Sequence, residues 1–186
     1  MSAPPRAIAF GLPALAAIYE HARAAFPAEC CGFLVGPRDA EGVTRARPCR
    51  NAQEEGGHHP TAAARGAETA YVIAGEDLLA LVRSLDGPEP AKVIYHSHPN
   101  GRAYFSATDQ AVATDPWGDG PMYPCRQMVV GLDAERVVEA ALFEWRDGGF
   151  HEVDRWRVEP REDATLERGA AERAGAPRRN EPPEQP

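Results

Sequence analysis

Two short segments that resemble buried strands constrain the fold of this chain more than any other feature. The segments CCGFLVG (30–36) and AKVIYHSH (91–98) are each bounded by proline or charged residues. The first is a continuous apolar run, which is typical of a buried strand, and the second begins with the apolar lead of a strand and ends in two histidines. Further strands are predicted at 7–10, 42–49, 71–74, 126–133, 136–145 and 151–156.

Amphipathic segments between these runs predict helices. The segment 13–26 carries one apolar face, and charged residues interrupt it, so we interpret it as a helix and not as a signal peptide. A second helix is predicted over 75–85, with Leu78, Leu79, Val82 and Leu85 on its inner face. A third is predicted to begin at Ser106. This alternation predicts an α/β fold, a mixed β-sheet sandwiched by helices in a single domain.

Composition excludes several classes of protein. The net charge of −8 argues against a nucleic-acid binder, and no stretch approaches the roughly 20 apolar residues that span a bilayer. The four cysteines form no C-x-x-C pair, which favours small buried thiols in a cytoplasmic protein. We expect one domain over 1–158. The charged, proline-rich segment 159–186 is predicted to be a disordered tail.

His96 and His98 are candidate metal ligands. In a strand, residues two apart lie on the same face, so both imidazoles can reach one zinc ion. An isolated H-x-H pair is weak evidence for a metal site, and an exposed strand end remains the simpler interpretation. Pro99 and the following Asn-Gly end the strand directly after the pair.

Ser106, Asp109 and Glu29 could complete such a site, although each has a simpler explanation. S-x-x-D before a helix is close to a capping box, with Ser106 at the N-cap and Asp109 at N3. A capped helix start can also present the Asp109 carboxylate to the two imidazoles. Two histidines and an aspartate leave a fourth position open, as catalytic zinc requires. Glu29 is a candidate general base, but its position before a strand also suits an exposed glutamate.

Taken together, these residues resemble the JAMM motif of the MPN/Mov34/JAB family of zinc metallopeptidases. The chain reads H-S-H-P from His96, then S-x-x-D from Ser106, with Glu29 upstream in AECCGFLVG. The resemblance covers about residues 7–155 and includes Asn51 after the second strand. Phe105 stands where the family often has proline before the motif serine, and the loop 52–70 is longer than expected.

The resemblance implies an MPN/JAB, cytidine-deaminase-like fold and a role for each motif residue. Zn²⁺ would be held by His96, His98 and Asp109. Glu29 would be the general base, and Ser106 would hydrogen-bond the developing oxyanion. The implied activity is hydrolysis after the C-terminal glycines of a ubiquitin-like or sulfur-carrier protein. A single amino acid attached to the carrier is the second substrate considered, and a catalytically inactive scaffold that binds a protein partner is the alternative function.

The substrate's tail is expected to enter extended, as an added strand. Tyr104, Phe105 and the loop 52–70 are candidate walls of its channel, although the aromatic pair could equally belong to the core. His58 and His59 are interpreted as ordinary loop residues, because three protein ligands already suffice.

Overall fold

The fold is built on six strands that form one mixed sheet. The computed structural model describes residues 8–55 and 64–159. Its strands are β1 Cys31–Val35, β2 Arg45–Cys49, β3 Ala91–His98, β4 Arg126–Leu132, β5 Val137–Arg146 and β6 Gly149–Arg157. All six coincide with predicted strands to within a few residues at their ends. The predicted α/β fold with a mixed sheet and flanking helices is confirmed.

The order of strands places β3 in the interior of the sheet. The order is β2-β1-β3-β4-β5-β6, and only the β3–β4 pair is parallel. His96 lies between Cys31 of β1 and Val129 of β4 in the register of the ladder. The carboxyl end of β3 is therefore held by hydrogen bonds from both sides.

Helices cover both faces of the sheet. Alternate residues of β3 point to opposite sides and therefore contribute to two separate cores. Helix α1, Leu12–Ala25, packs Ile18 and Tyr19 into a core with Val93 and Tyr95. Helix α2, Gly75–Leu85, packs on the other face through Leu81, which contributes to a second core with Ile94. The short helix α3, Ala107–Ala113, follows β3.

Three predicted details differ from the structure. Leu79 and Val82 are 48% and 42% exposed, whereas Leu81 is fully buried, so the predicted inner face of α2 was wrong at these two positions. Apolar side chains surround most of this helix, and the pattern alone does not determine which of them packs. The predicted strands at 7–10 and 71–74 are reduced to single bridges, from Phe10 to Val43 and from Ile73 to Asn51.

The cysteines are buried free thiols, as predicted. Cys30 and Cys31 are adjacent and enter opposite cores, because neighbouring strand residues face opposite sides. Burial raises the pKa of Cys125 to about 12. Within the described ranges, no helix combines the length and the apolar character required to cross a bilayer.

Candidate active site

The centre of the site is the pair of imidazoles at the end of β3. His96 and His98 are 0% and 4% exposed, and their Nε2 atoms lie 3.2 Å apart. The ring of Tyr71 stacks on His96 with 4.6 Å between ring centres. Burial lowers the pKa of His96, which favours the neutral imidazole that a metal ion requires.

Asp109 joins the pair from the first turn of α3. The Ser106 hydroxyl accepts a hydrogen bond from the Asp109 backbone N–H at 3.1 Å, and Asp109 Oδ2 accepts one from the Ser106 N–H at 2.7 Å. The predicted capping box is therefore present. It fixes the carboxylate with Oδ1 3.5 Å from His96 Nε2 and Oδ2 3.5 Å from His98 Nε2.

The charge of Asp109 suits a ligand. Burial disfavours its ionised form, but the neighbouring histidines and the hydrogen bond with Ser106 hold its pKa well below the usual range. The two interpretations of the S-x-x-D segment are compatible, because one carboxylate both caps the helix and faces the imidazoles.

Glu29 lies beside this cluster, and its interpretation as an exposed strand-end residue is wrong. It is 4% exposed, and its Oε1 atom lies 4.0 Å from His98 Nε2. Its backbone N–H donates to the Ala67 carbonyl at 2.7 Å. The Asn51 amide donates to the carbonyls of Glu29 and Ala70 at 2.9 and 3.2 Å. Burial, and then the charge of Asp109, raise the pKa of Glu29 to about 8.

The donor set fits a zinc ion. Ligand atoms of His96, His98 and Asp109 all lie within 4.8 Å of one another, and all three residues are buried. With bonds of ~2.0–2.1 Å, the corners of a tetrahedron are ~3.3 Å apart. The spacing of 3.2 Å between the two Nε2 atoms and that of 3.5 Å between His96 Nε2 and Asp109 Oδ1 are close to this value. Two imidazoles and one carboxylate could therefore hold Zn²⁺ with one position left for water.

The loop between β3 and α3 rests on Gly131. Gly131 pairs with His98 across the β3–β4 ladder, and a Cβ atom there would lie 2.6 Å from the backbone carbonyl carbon of Arg102. Gly101 adopts a φ of 77° and donates its N–H to the Leu132 carbonyl at 2.8 Å. The loop that leads to α3 therefore lies directly on strand β4.

A cleft of about 310 Å³ opens next to the buried cluster. Its lining residues are Pro27, Glu29, Arg65, Glu68, Thr69, His98, Pro99, Asn100, Tyr104 and Ser106. Tyr104 thus lines the cleft, as predicted, and its ring packs on His98 at 4.6 Å. Phe105 instead packs on Phe143 and Phe150 and belongs to the core. His58 and His59 lie outside the described residues.

Sequence reasoning missed one contribution to the site, since Tyr71 was assigned only to a short strand although it covers His96. The loop 52–70 was predicted as a wall of the channel, and its described part contributes Arg65, Glu68 and Thr69 to the lining of the cleft.

Comparison with known proteins identifies the family of this chain. A family model described as prokaryotic homologs of the JAB domain matches residues 12–146, a range that contains Glu29, both histidines, Ser106 and Asp109. The chain belongs to this family. A solution structure of a protein from Desulfitobacterium hafniense superposes with a TM-score of 0.58 at 23% identity, and it covers 80% of this chain and 90% of that one. This prokaryotic JAB protein therefore shares its fold with a solved structure.

Two curated relatives have names that state an activity. A CysO-cysteine peptidase of Mycobacterium tuberculosis is 37% identical over 101 residues, which are 54% of this chain and 61% of the relative. A desampylase of Haloferax volcanii is 33% identical over 91 residues, which are 48% of this chain and 58% of the relative. The JAB chain thus spans about three fifths of the length of the curated relatives it matches.

Proposed function

We propose that this JAB protein is a zinc-dependent peptidase or isopeptidase. It would hydrolyse the bond that follows the C-terminal glycines of a ubiquitin-like or sulfur-carrier protein. The observation that carries the proposal is the buried cluster of His96, His98 and Asp109 with the carboxyl group of Glu29 beside it. The names of the two curated relatives support the class of substrate.

The three ligands and the ion would have separate tasks. His96, His98 and Asp109 would hold Zn²⁺, which supplies a Lewis acid that lowers the pKa of water from 15.7 toward ~7. The capping box keeps the Asp109 carboxylate oriented toward the imidazoles. The sheet keeps His96 and His98 on one face.

Glu29 would move the proton. Its carboxylate accepts a proton from water as the water oxygen attacks the carbonyl carbon of the terminal glycine. The protonated carboxyl group then donates that proton to the leaving nitrogen as the C–N bond breaks. The products are a carrier with a free C-terminal carboxylate and a free amine. The buried position of Glu29, 4.0 Å from His98, suits a base that is not itself a ligand.

Ser106 would stabilise the oxyanion that develops at the attacked carbonyl. Its hydroxyl accepts a hydrogen bond from the Asp109 N–H and therefore retains its own proton to donate. Ser106 also lines the cleft, so this donor faces the space that a substrate would occupy. Comparable oxyanion donors contribute ~2.7–4 kcal/mol to transition-state stabilisation.

An inactive scaffold that binds a protein partner is the alternative. A scaffold has no need for a complete set of ligands, a base and an oxyanion donor around one cleft. All five motif residues are present in this chain, and the structure brings them together. Catalysis is therefore the better-supported function.

The proposal is tested with metal analysis and one cleavage assay. The purified protein is expected to carry about one zinc ion per chain, and Asp109→Ala should remove most of it. The substrate is a sulfur-carrier protein that ends in Gly-Gly and is extended by one residue, with cleavage followed by mass spectrometry. Glu29→Gln should retain zinc and the native thermal transition but lose turnover. A Glu29→Gln variant with near-normal kcat would refute the role of this carboxylate, and full zinc retention in Asp109→Ala would refute the ligand set.

A further inference from the structure

Among the described residues that line the cleft next to the buried cluster, Arg65 is the only lysine or arginine. The acidic side chains of the described lining are those of Glu29 and Glu68, and His98 contributes an imidazole. The cleft volume of about 310 Å³ is at the small end of the range for ligand sites. A cleft of this size has room for a small group on one side of the scissile bond, and the charges of its lining select the group that binds.

The turn that carries Arg65 is bonded to the strand end that carries Glu29. The Glu29 N–H donates to Ala67, and Asn51 bridges the carbonyls of Glu29 and Ala70. The Thr69 N–H donates to the Gly66 carbonyl at 3.0 Å. Arg65 is therefore fixed near Glu29 by the backbone of its own turn.

Most of the hydrogen-bonding capacity of Arg65 is unused within the described part of the chain. The Nη1 atom of Arg65 donates a hydrogen bond to the Thr69 carbonyl at 3.1 Å. Among residues 8–55 and 64–159, no carboxylate lies within ion-pair distance of this guanidinium, and its remaining N–H groups have no hydrogen-bond partner. An arginine carries five N–H donors in a planar arrangement that matches a carboxylate.

The position of Glu29 indicates which side of the substrate meets Arg65. In the proposed function, Glu29 donates a proton to the leaving nitrogen, so the groups next to Glu29 lie on the leaving-group side. If the leaving group is a single amino acid, its carboxylate carbon is two bonds from that nitrogen, about 2.5 Å away. If the leaving group is a lysine side chain in a protein, no carboxylate lies that close.

We propose that Arg65 binds the free α-carboxylate of a single residue attached to the carrier's terminal glycine. The substrate class is then a carrier with a one-residue adduct, and a lysine-linked conjugate is disfavoured. This inference rests on the proposed function and adds to it the choice of leaving group. Because the carboxylate of Glu68 would repel an anionic leaving residue, Arg65 supplies the charge that offsets it.

The test compares two substrates that differ only at that carboxylate. A Gly-Gly carrier protein is extended by one alanine and prepared by semisynthesis as the free acid and as the carboxamide. Dissociation constants are measured with Glu29→Gln protein, so that binding is read without turnover. Three further proteins combine Glu29→Gln with one additional substitution each: Arg65→Ala, Arg65→Lys or Arg102→Ala. Arg102 is the matched control, because it is exposed, has the same charge and does not line the cleft.

The acid is expected to bind about tenfold more tightly than the amide, which corresponds to ~1.4 kcal/mol. Arg65→Ala should abolish this preference, because it should weaken binding of the free-acid substrate and leave binding of the amide unchanged. Arg65→Lys should keep part of the preference, and Arg102→Ala should keep all of it. Wild-type protein should show the same preference in kcat/KM. Equal binding of acid and amide by the Glu29→Gln parent, or a preference unchanged in Arg65→Ala, would overturn the inference.

Two further results separate the possible failures. If Arg65→Ala weakened the binding of both substrates equally, Arg65 would only stabilise its own turn, and the inference would also be overturned. Failure of wild-type protein to cleave either substrate would refute the proposed one-residue hydrolysis itself. Cleavage of both substrates at the same rate would leave the proposed function standing and remove only the role of Arg65.

Discussion

Gly131→Ala is expected to damage the candidate metal centre without touching any of its ligands. The new Cβ atom would lie 2.6 Å from the Arg102 carbonyl carbon and 2.7 Å from the Arg102 nitrogen, and these are backbone atoms. Separations under 3.0 Å require the loop to move off strand β4. The same loop leads to Ser106 and Asp109, so the movement would carry the capped helix start away from His98.

The magnitude follows from the kind of clash. Overpacking in a tight interior typically costs about 1–3 kcal/mol in the free energy of unfolding. For a domain of this size, 1 kcal/mol corresponds to about 2–4 °C in Tm. Changes in the groups that orient metal ligands typically cost about 10–100-fold in metal affinity. We therefore expect a Tm lower by several degrees and zinc binding at least tenfold weaker.

The assay pairs thermal unfolding of the zinc-free protein with zinc affinity measured by competition with a chelator. Gly75→Ala is the matched control, because its added Cβ meets nothing within 4 Å at the start of α2. This control should be neutral or slightly stabilising, since alanine is the better helix former. If Gly131→Ala matched wild type in both measurements, the loop could not be seated on β4 as described.

The remaining predictions concern the helix cap and the core. Ser106→Ala should remove about 1 kcal/mol of stability with the cap, and turnover should fall about 10²–10³-fold if the hydroxyl is the oxyanion donor. Ser106→Asn retains a capping acceptor, so it should recover stability but not kcat, and recovery of both would exclude the oxyanion role. Leu81→Ala should lower the free energy of unfolding in a denaturant titration by about 2–5 kcal/mol, because its side chain is fully buried. Leu79→Ala, on the exposed side of the same helix, should cost under ~1 kcal/mol. Equal losses for the two leucines would contradict the packing of α2.

The sequence predicted the parts of the site that depend on local structure. Two histidines two residues apart share a face wherever a strand forms, and S-x-x-D begins a helix largely through its own hydrogen bonds. The shared face of His96 and His98 and the capped helix start that carries Asp109 therefore followed from short-range rules. That the three residues form one site was predicted from the resemblance to the JAMM motif.

What the sequence did not predict depends on contacts between distant segments. Glu29 is buried because the turn at 65–70 lies across it, and no local pattern near Glu29 encodes that turn. The inner face of α2 was misassigned because its apolar residues cover most of the helix surface, so packing against the sheet selects Leu81. The strand predicted at 71–74 is reduced to one bridge, and Tyr71 covers His96 instead of extending the sheet.

The interior position of β3 predicts two levels of local stability in the site. His96 and His98 belong to a strand with partners on both sides, so exposing them requires the ladders to β1 and β4 to open. Segments of this kind exchange their amide hydrogens only through the larger openings of a protein. Glu29 and Asp109 are held instead by a turn and by a seven-residue helix, which can open at a lower free energy. We therefore expect Glu29 and Asp109 to fluctuate on a timescale at which the two imidazoles remain fixed.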